Sequence, residues 1–150
     1  MDEAVQELAS RWRRLGGALI DGFIMIALLI PIMSATGVFK KVLDKVPLGI
    51  ATQVALSLAA MVVFVMLNGY LLSKRGQTIG KVVVRTRIVD HADNVPNFWR
   101  LLVLRYLVLQ TASLIPYIGD AVFYVSPLLI FGRSRRCLHD YIAGTRVVNA

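Results

Sequence analysis

The sequence predicts an all-α membrane protein, with about four transmembrane or partly re-entrant helices and a short cytoplasmic extended or hairpin segment, forming one domain over 1–150. Three observations carry this expectation. Hydrophobic residues make up 57% of the 150 and the mean hydropathy is +0.65, above the usual apolar share of a soluble domain. Several apolar runs reach or approach the roughly 18–20 residues that let a helix cross a bilayer. The net charge of +8 sits in segments flanking those runs, which fits anionic lipid and topology better than nucleic acid.

Residues 3–15 read as an amphipathic lead-in, with Val5, Leu8, Trp12 and Leu15 near one helical face. Trp12 between Arg11, Arg13 and Arg14 suits a membrane interface. Acidic residues Asp2, Glu3 and Glu7 precede the arginines, so a retained segment is expected rather than a cleaved signal. The first span runs about Leu15–Thr36, roughly 33 Å as a helix, with Pro31 expected to kink it. The second runs about Leu48–Leu72, and Ala51, Ala55 and Ala59 offer a smooth strip for a neighbouring helix. Residues 73–97 are polar and basic. Val82–Val84 and Ile88–Val89 favour extended structure, "HADNV" supplies a turn, and "RVV" at 146–148 can add a strand beside them. The third span covers about Phe98–Ile115 and holds Arg100 and Arg105. The fourth, about Tyr117–Phe131, is short, crosses a thinned site or is re-entrant, and contains Gly119 and Pro127.

Thirteen Lys and Arg lie in the N-terminal segment, the 73–100 region and the tail after Phe131, against three in the 37–47 loop and none in 116–120. Cytoplasmic loops carry the excess of positive charge. The expectation is therefore a multi-pass protein of the cell (inner) membrane with both termini cytoplasmic. The one cysteine, Cys137, excludes an internal disulfide.

Asp21 stands out because it lies inside "LGGALIDGFIMIALLI". Two turns beyond Arg14, it falls about 10 Å below the interface, where an unpaired carboxylate is costly. Arg105 lies at nearly the same depth if the third span starts at the same side. An Asp21–Arg105 ion pair is expected, with Asn68 at a similar level and able to donate. Such a pair either pins helices together or handles ions. Burial favours the neutral acid and Arg105 the carboxylate. A group near that balance can trade a proton for a cation. Asp140 can cap a helix, pair with Arg135, Arg136 or Arg14, or face water. Cys137 and His139 make a poor metal site, so neither metal nor cofactor is expected. "GQTIGKV" has three residues between its glycines and no Ser/Thr after the lysine, which sets aside a phosphate-binding loop; a bend is expected there. No catalytic triad points to an enzyme.

Three blocks in order, "RRLGGALIDGF", "GQTIGKVVVRTRIVD" and "RRCLHDYIAGTRVV", resemble those of the RDD family of membrane proteins, and the resemblance covers nearly the whole chain. The arginine and two aspartates that name the family match Arg14, Asp21 and Asp140, with Arg13 an alternative for the first. Gly17 stands where an alanine is common, and Arg85 where a glycine often follows the apolar residues. The resemblance implies a membrane fold and, because some members have been proposed as sodium–proton antiporters, transport. The expected function is proton-coupled cation (sodium) exchange through Asp21, with sodium ions, protons and anionic lipids as partners and a homo-oligomer as the assembly. The alternative is a non-transporting scaffold or accessory subunit with a basic lipid- or partner-binding face.

Overall fold

A computed structural model of the chain describes residues 7–112 and 137–150, with Ile115, Val125 and Leu129 between them. The predicted fourth span lies almost entirely outside the described residues, as do the first six residues.

Helix α1 (Arg11–Ala35) starts where the Ser10 side chain accepts the Arg13 N–H at 3.3 Å, satisfying one of the amide groups every helix start leaves open. It continues through Pro31. A left-handed Gly37 turns the chain into the short α2 (Val38–Leu43). Helix α3 (Ile50–Arg75) follows. Both α1 and α3 are long and apolar enough to cross a membrane. Leu19, Phe23 and Ile26 on α1 and Leu58, Val62 and Met66 on α3 are exposed, as a bilayer requires of spanning helices. These are two of the four predicted spans.

The alanine strip faces the far end of α1 across a gap, among the described residues. Ala51, Ala55 and Ala59 line an open cleft of about 480 Å³ between α3 and the far end of α1, with Ile32, Thr36 and Thr52 also on its walls. Small residues permit close approach but supply no attraction of their own.

Helix α3 ends at Gly76, whose φ of +62 favours glycine; a Cβ there would overlap the Ile88 carbonyl oxygen. The next element corrects the sequence reading. Val82 and Val83 are helical, within α4 (Ile79–Val83), because three side chains cap its first turn and outweigh a weak β preference. Strand β1 (Thr86–Val89) follows, and Asp90 closes the predicted turn by accepting the Ala92 and Asn94 amides. There is no local hairpin. β1 pairs antiparallel with β2 (Arg146–Asn149), placing Ile88 opposite Val147. The predicted pairing of "RVV" with this region is therefore the one the chain adopts.

The lead-in is also corrected. Residues 7–9 precede the helix and lie along β2: Leu8 bridges Val148, and the Ala9 N–H donates to the Val147 carbonyl at 3.0 Å. Ala9, Leu72, Ile88, Leu101 and Val147 form the buried core, with Phe64, Phe98 and Tyr106 against it. The core thus sits at the charged end of the two long helices, where five separate stretches of sequence meet.

The predicted third span opens with α5 (Phe98–Arg100), capped by the Asn97 side chain, and passes into a π-helical segment, Leu101–Leu107, before α6 (Val108–Ala112). Gln110 donates to the Ser57 carbonyl on α3. After the undescribed stretch, α7 (Leu138–Ala143) leads into β2 through a left-handed Gly144.

Candidate functional site

Two clusters of polar groups occupy the charged end. In the first, Asp140 is fully buried between two arginines. Arg14, from the first turn of α1, binds one carboxylate oxygen, and Arg105, from the π-helical segment, binds the other. The Cys137 amide donates to Asp140 Oδ2 at 2.9 Å, so the side chain also caps its own helix. Arg105 Nη1 donates to Thr145 Oγ1 at 2.9 Å. An Arg–Asp–Arg arrangement is tolerable out of water only because each charge meets a charge-assisted hydrogen bond. Burial alone would raise the Asp140 pKa, but the charges of Arg105 and Arg14 and the Cys137 amide overcome it and hold the group ionised well below the usual carboxylate range.

The expected Asp21–Arg105 pair does not form. Equal depth along two helices leaves open which way each side chain points. π-Helical winding, common at functional positions, and the return of the chain at α7 give Arg105 to Asp140 instead. Of the partners left open for Asp140, Arg14 is found beside it; Arg135 and Arg136 lie outside the described residues. Arg13, the alternative family position, donates to Asn149 Oδ1 at 2.9 Å.

Asp21 belongs to the second cluster. Its Oδ2 accepts the Thr78 hydroxyl at 2.5 Å and its Oδ1 accepts the Gly80 N–H at 2.7 Å. Asn68 Oδ1 accepts the Ile79 N–H at 2.8 Å, while its amide donates to the Phe64 carbonyl. Asn68 therefore serves α4 as an acceptor, not Asp21 as a donor. Thr78 Oγ1 accepts the Lys81 N–H and the Lys81 ammonium, both at 3.4 Å. The open amides of α4's first turn thus go to α1, α3 and its own cap. Close approach makes this possible: a Cβ on Gly80 would overlap the Gly17 carbonyl oxygen and come within 2.8 Å of the Asp21 carboxyl carbon.

The sequence reading missed Thr78, Gly80 and Thr145. The signal available for the first two was a threonine one position before a short apolar run, the usual helix-cap placement, paired with small residues at 17 and 80. Nothing local marks Thr145. Arg85, standing where a glycine often follows the apolar residues, has a φ of +53, in the region glycine occupies at least cost.

Cys137, His139 and Asp140 bring three ligand-type atoms within 4.8 Å of one another. The donor chemistry does not fit a cation. Each Asp140 oxygen already accepts an arginine, and burial together with the Asp140 charge pushes the Cys137 thiol pKa up, away from the thiolate a metal needs. A metal ion would have to displace a guanidinium.

Burial, reinforced by the Arg105 charge and opposed by Asp140, lowers His139 to a pKa of about 3. Lys81 and Arg14 act in the same direction as Arg105. The unfolded chain takes up this proton near pH 6.5 and the folded one does not. Stability therefore falls as pH drops from about 6.5 toward 3, because the unfolded state binds more protons there. In detergent-solubilised protein, His139→Gln is expected to flatten the decline of Tm with pH between about 6.5 and 4.5. An unchanged pH profile contradicts this assignment.

Comparison with curated proteins and with solved structures gave no match. The RDD family model matches residues 8–144, a range that contains α1 and α3, the two apolar helices suited to a membrane, and every member of the two polar clusters except Thr145. With Arg14, Asp21 and Asp140 at the positions the three sequence blocks assign them, this chain is a membrane protein that belongs to the RDD family.

Proposed function

We propose that the protein is a multi-pass transporter of the cell membrane, with both termini cytoplasmic, that exchanges protons for a monovalent cation such as sodium at Asp21. One observation carries this reading. Asp21 takes its hydrogen bonds from a hydroxyl and a backbone amide, while Arg14 and Arg105 are joined to Asp140. A carboxylate held by neutral donors can release its proton to the solution and accept a cation in its place without expelling a fixed counter-charge. Asp140, locked between two guanidiniums, is unsuited to that exchange. The cleft lined by Thr36 and Thr52 supports access from the outer half. Trp12 and Trp99, strongly exposed at the opposite end, suit an interface rich in anionic lipid. A few short spans enclose little volume, which favours a homo-oligomer as the assembly.

Purified protein in sealed vesicles is expected to move protons when a sodium gradient is imposed, and Asp21→Asn that still assembles is expected to abolish the movement. Proton movement that persists in well-assembled Asp21→Asn would remove Asp21 from the mechanism. A second reading, a non-transporting scaffold or accessory subunit, is favoured by the same carboxylate's role in capping α4. It predicts no sodium-driven proton movement by well-folded wild-type protein at any pH, and loss of assembly in Asp21→Asn.

A further inference from the structure

Helix α4 is the tip of a loop anchored at its base to the sheet and at its tip to Asp21. At the base, Gln77 Nε2 donates to the Thr86 carbonyl at 2.9 Å, and the Ile88 N–H donates to the Gly76 carbonyl at 2.8 Å. The Ala150 N–H donates to the Arg85 carbonyl at 3.0 Å. Gly76 and Arg85, with φ of +62 and +53, turn the chain at the two ends of the loop. At the tip, the Thr78 hydroxyl and the Gly80 N–H take one Asp21 oxygen each, and the Ile79 N–H goes to Asn68. The three tip bonds can open while the base stays on the sheet.

The tip also competes with a cation. A carboxylate oxygen attracts both an amide hydrogen and a metal ion, and the two repel each other. The Thr78 hydroxyl can rotate and offer its oxygen to the ion. The Gly80 N–H can turn away only if α4 moves. Lifting α4 withdraws the Thr78 donor, the Gly80 amide and the Lys81 ammonium, which lies 3.4 Å from the Thr78 hydroxyl. Asn68 of α3 is uncharged, and Arg14 and Arg105 are joined to Asp140.

We propose that α4 is a strap that senses whether Asp21 is occupied: docked on the ionised carboxylate, and released when a monovalent cation or a proton sits there. This rests on exchange at Asp21 and adds its regulation. A proton weakens both bonds, because a neutral acid accepts hydrogen bonds less strongly than a carboxylate. A cation replaces them. Each ligand shifts the strap by its preference for the released state. An exchanger that reorients with its site empty lets one ion move without the other. A strap that holds only the empty state keeps the two fluxes coupled.

The test is amide hydrogen exchange of the full chain in detergent, in sodium chloride against choline chloride at constant pH and ionic strength. Exchange at Ile79 and Gly80 is expected to be roughly tenfold faster in sodium, with β1 unchanged, and Asp21→Asn is expected to remove the difference. Sodium-driven proton movement in vesicles, with no sodium effect on these two amides, overturns the strap and leaves exchange at Asp21 standing. A sodium effect that survives in folded Asp21→Asn overturns it as well. An Asp21-dependent sodium effect without proton movement keeps the strap and removes transport; absence of both removes both. Should Asp21→Asn fail to fold, the double variant Gly16→Cys, Val84→Cys decides. A Cβ on Gly16 would lie 3.7 Å from Val84 Cγ1, close enough for a disulfide between the new cysteines, and Cys137 is buried and stays as it is. The oxidised form is expected to lose the sodium effect and reduction to restore it. A sodium effect undiminished in the cross-linked protein overturns the proposal.

Discussion

Asp140→Asn is expected to destabilise the protein by about 3–5 kcal/mol, the usual cost of leaving buried charge without its partner, and to lower Tm by roughly 10 °C or more. The carboxylate faces Arg14 on one oxygen and Arg105 on the other, and all three side chains are buried. An amide keeps the shape but removes the negative charge, leaving two guanidiniums facing each other. The Cys137 amide also loses its charged acceptor. Thermal unfolding in detergent measures the effect. Replacing the set together, Arg14→Met, Arg105→Met and Asp140→Leu, is expected to recover most of the loss, since apolar residues of similar volume often substitute for a buried ion cluster at little cost. A single variant as stable as wild type would mean that the triad is hydrated and contributes little.

Gly80→Ala is expected to have the second-largest effect on stability, about 3 kcal/mol, at the upper end of what overpacking costs. The added methyl meets the Gly17 carbonyl oxygen and the Asp21 carboxyl, backbone on one side and a hydrogen-bonded acid on the other. Neither can swing away without breaking the Gly80 N–H···Asp21 bond. Helix α4 must lift from α1, which frees the Thr78 and Gly80 donors together. Limited proteolysis between residues 77 and 85 and a lowered Tm report the separation. If the variant unfolds at the wild-type temperature and resists cleavage, α4 tolerates the methyl and the close approach of residues 17 and 80 is incidental.

How far the sequence foretells this fold depends on the range of each interaction. Helices α1 and α3 are legible because an uninterrupted apolar run needs no partner to declare itself. The β1–β2 pairing is legible because Ile88, Val89, Val147 and Val148 are β-branched and lie in two short matching runs. Helix α4 is not: its valines argue for a strand, and the groups that overrule them sit at Asp21, Asn68 and Thr78. Only the cap at Thr78 is local.

The candidate site shows the same division. Arg14, Asp21, Asp140, Arg105 and Asn68 all lie in the two polar clusters, as their residue types suggest for charges set among apolar runs. Their partners were harder to see. Depth along a helix follows from counting residues, but direction around its axis depends on local winding, and at Arg105 the winding is π-helical. The partner of Arg105 lies 35 residues onward and that of Arg14 lies 126 onward, distances over which periodicity says nothing.

That long separation has a consequence for biogenesis. As the polypeptide is made, the first hydrophobic helix and its guanidinium emerge well before the carboxylate that neutralises it, and residues 7–9 have no edge to join until residues 146–149 exist. The first segment must therefore wait in an unfinished state, its cation tended by lipid phosphates or water. Closure of the sheet by β2 then acts as a latch that only a chain extended that far can shut.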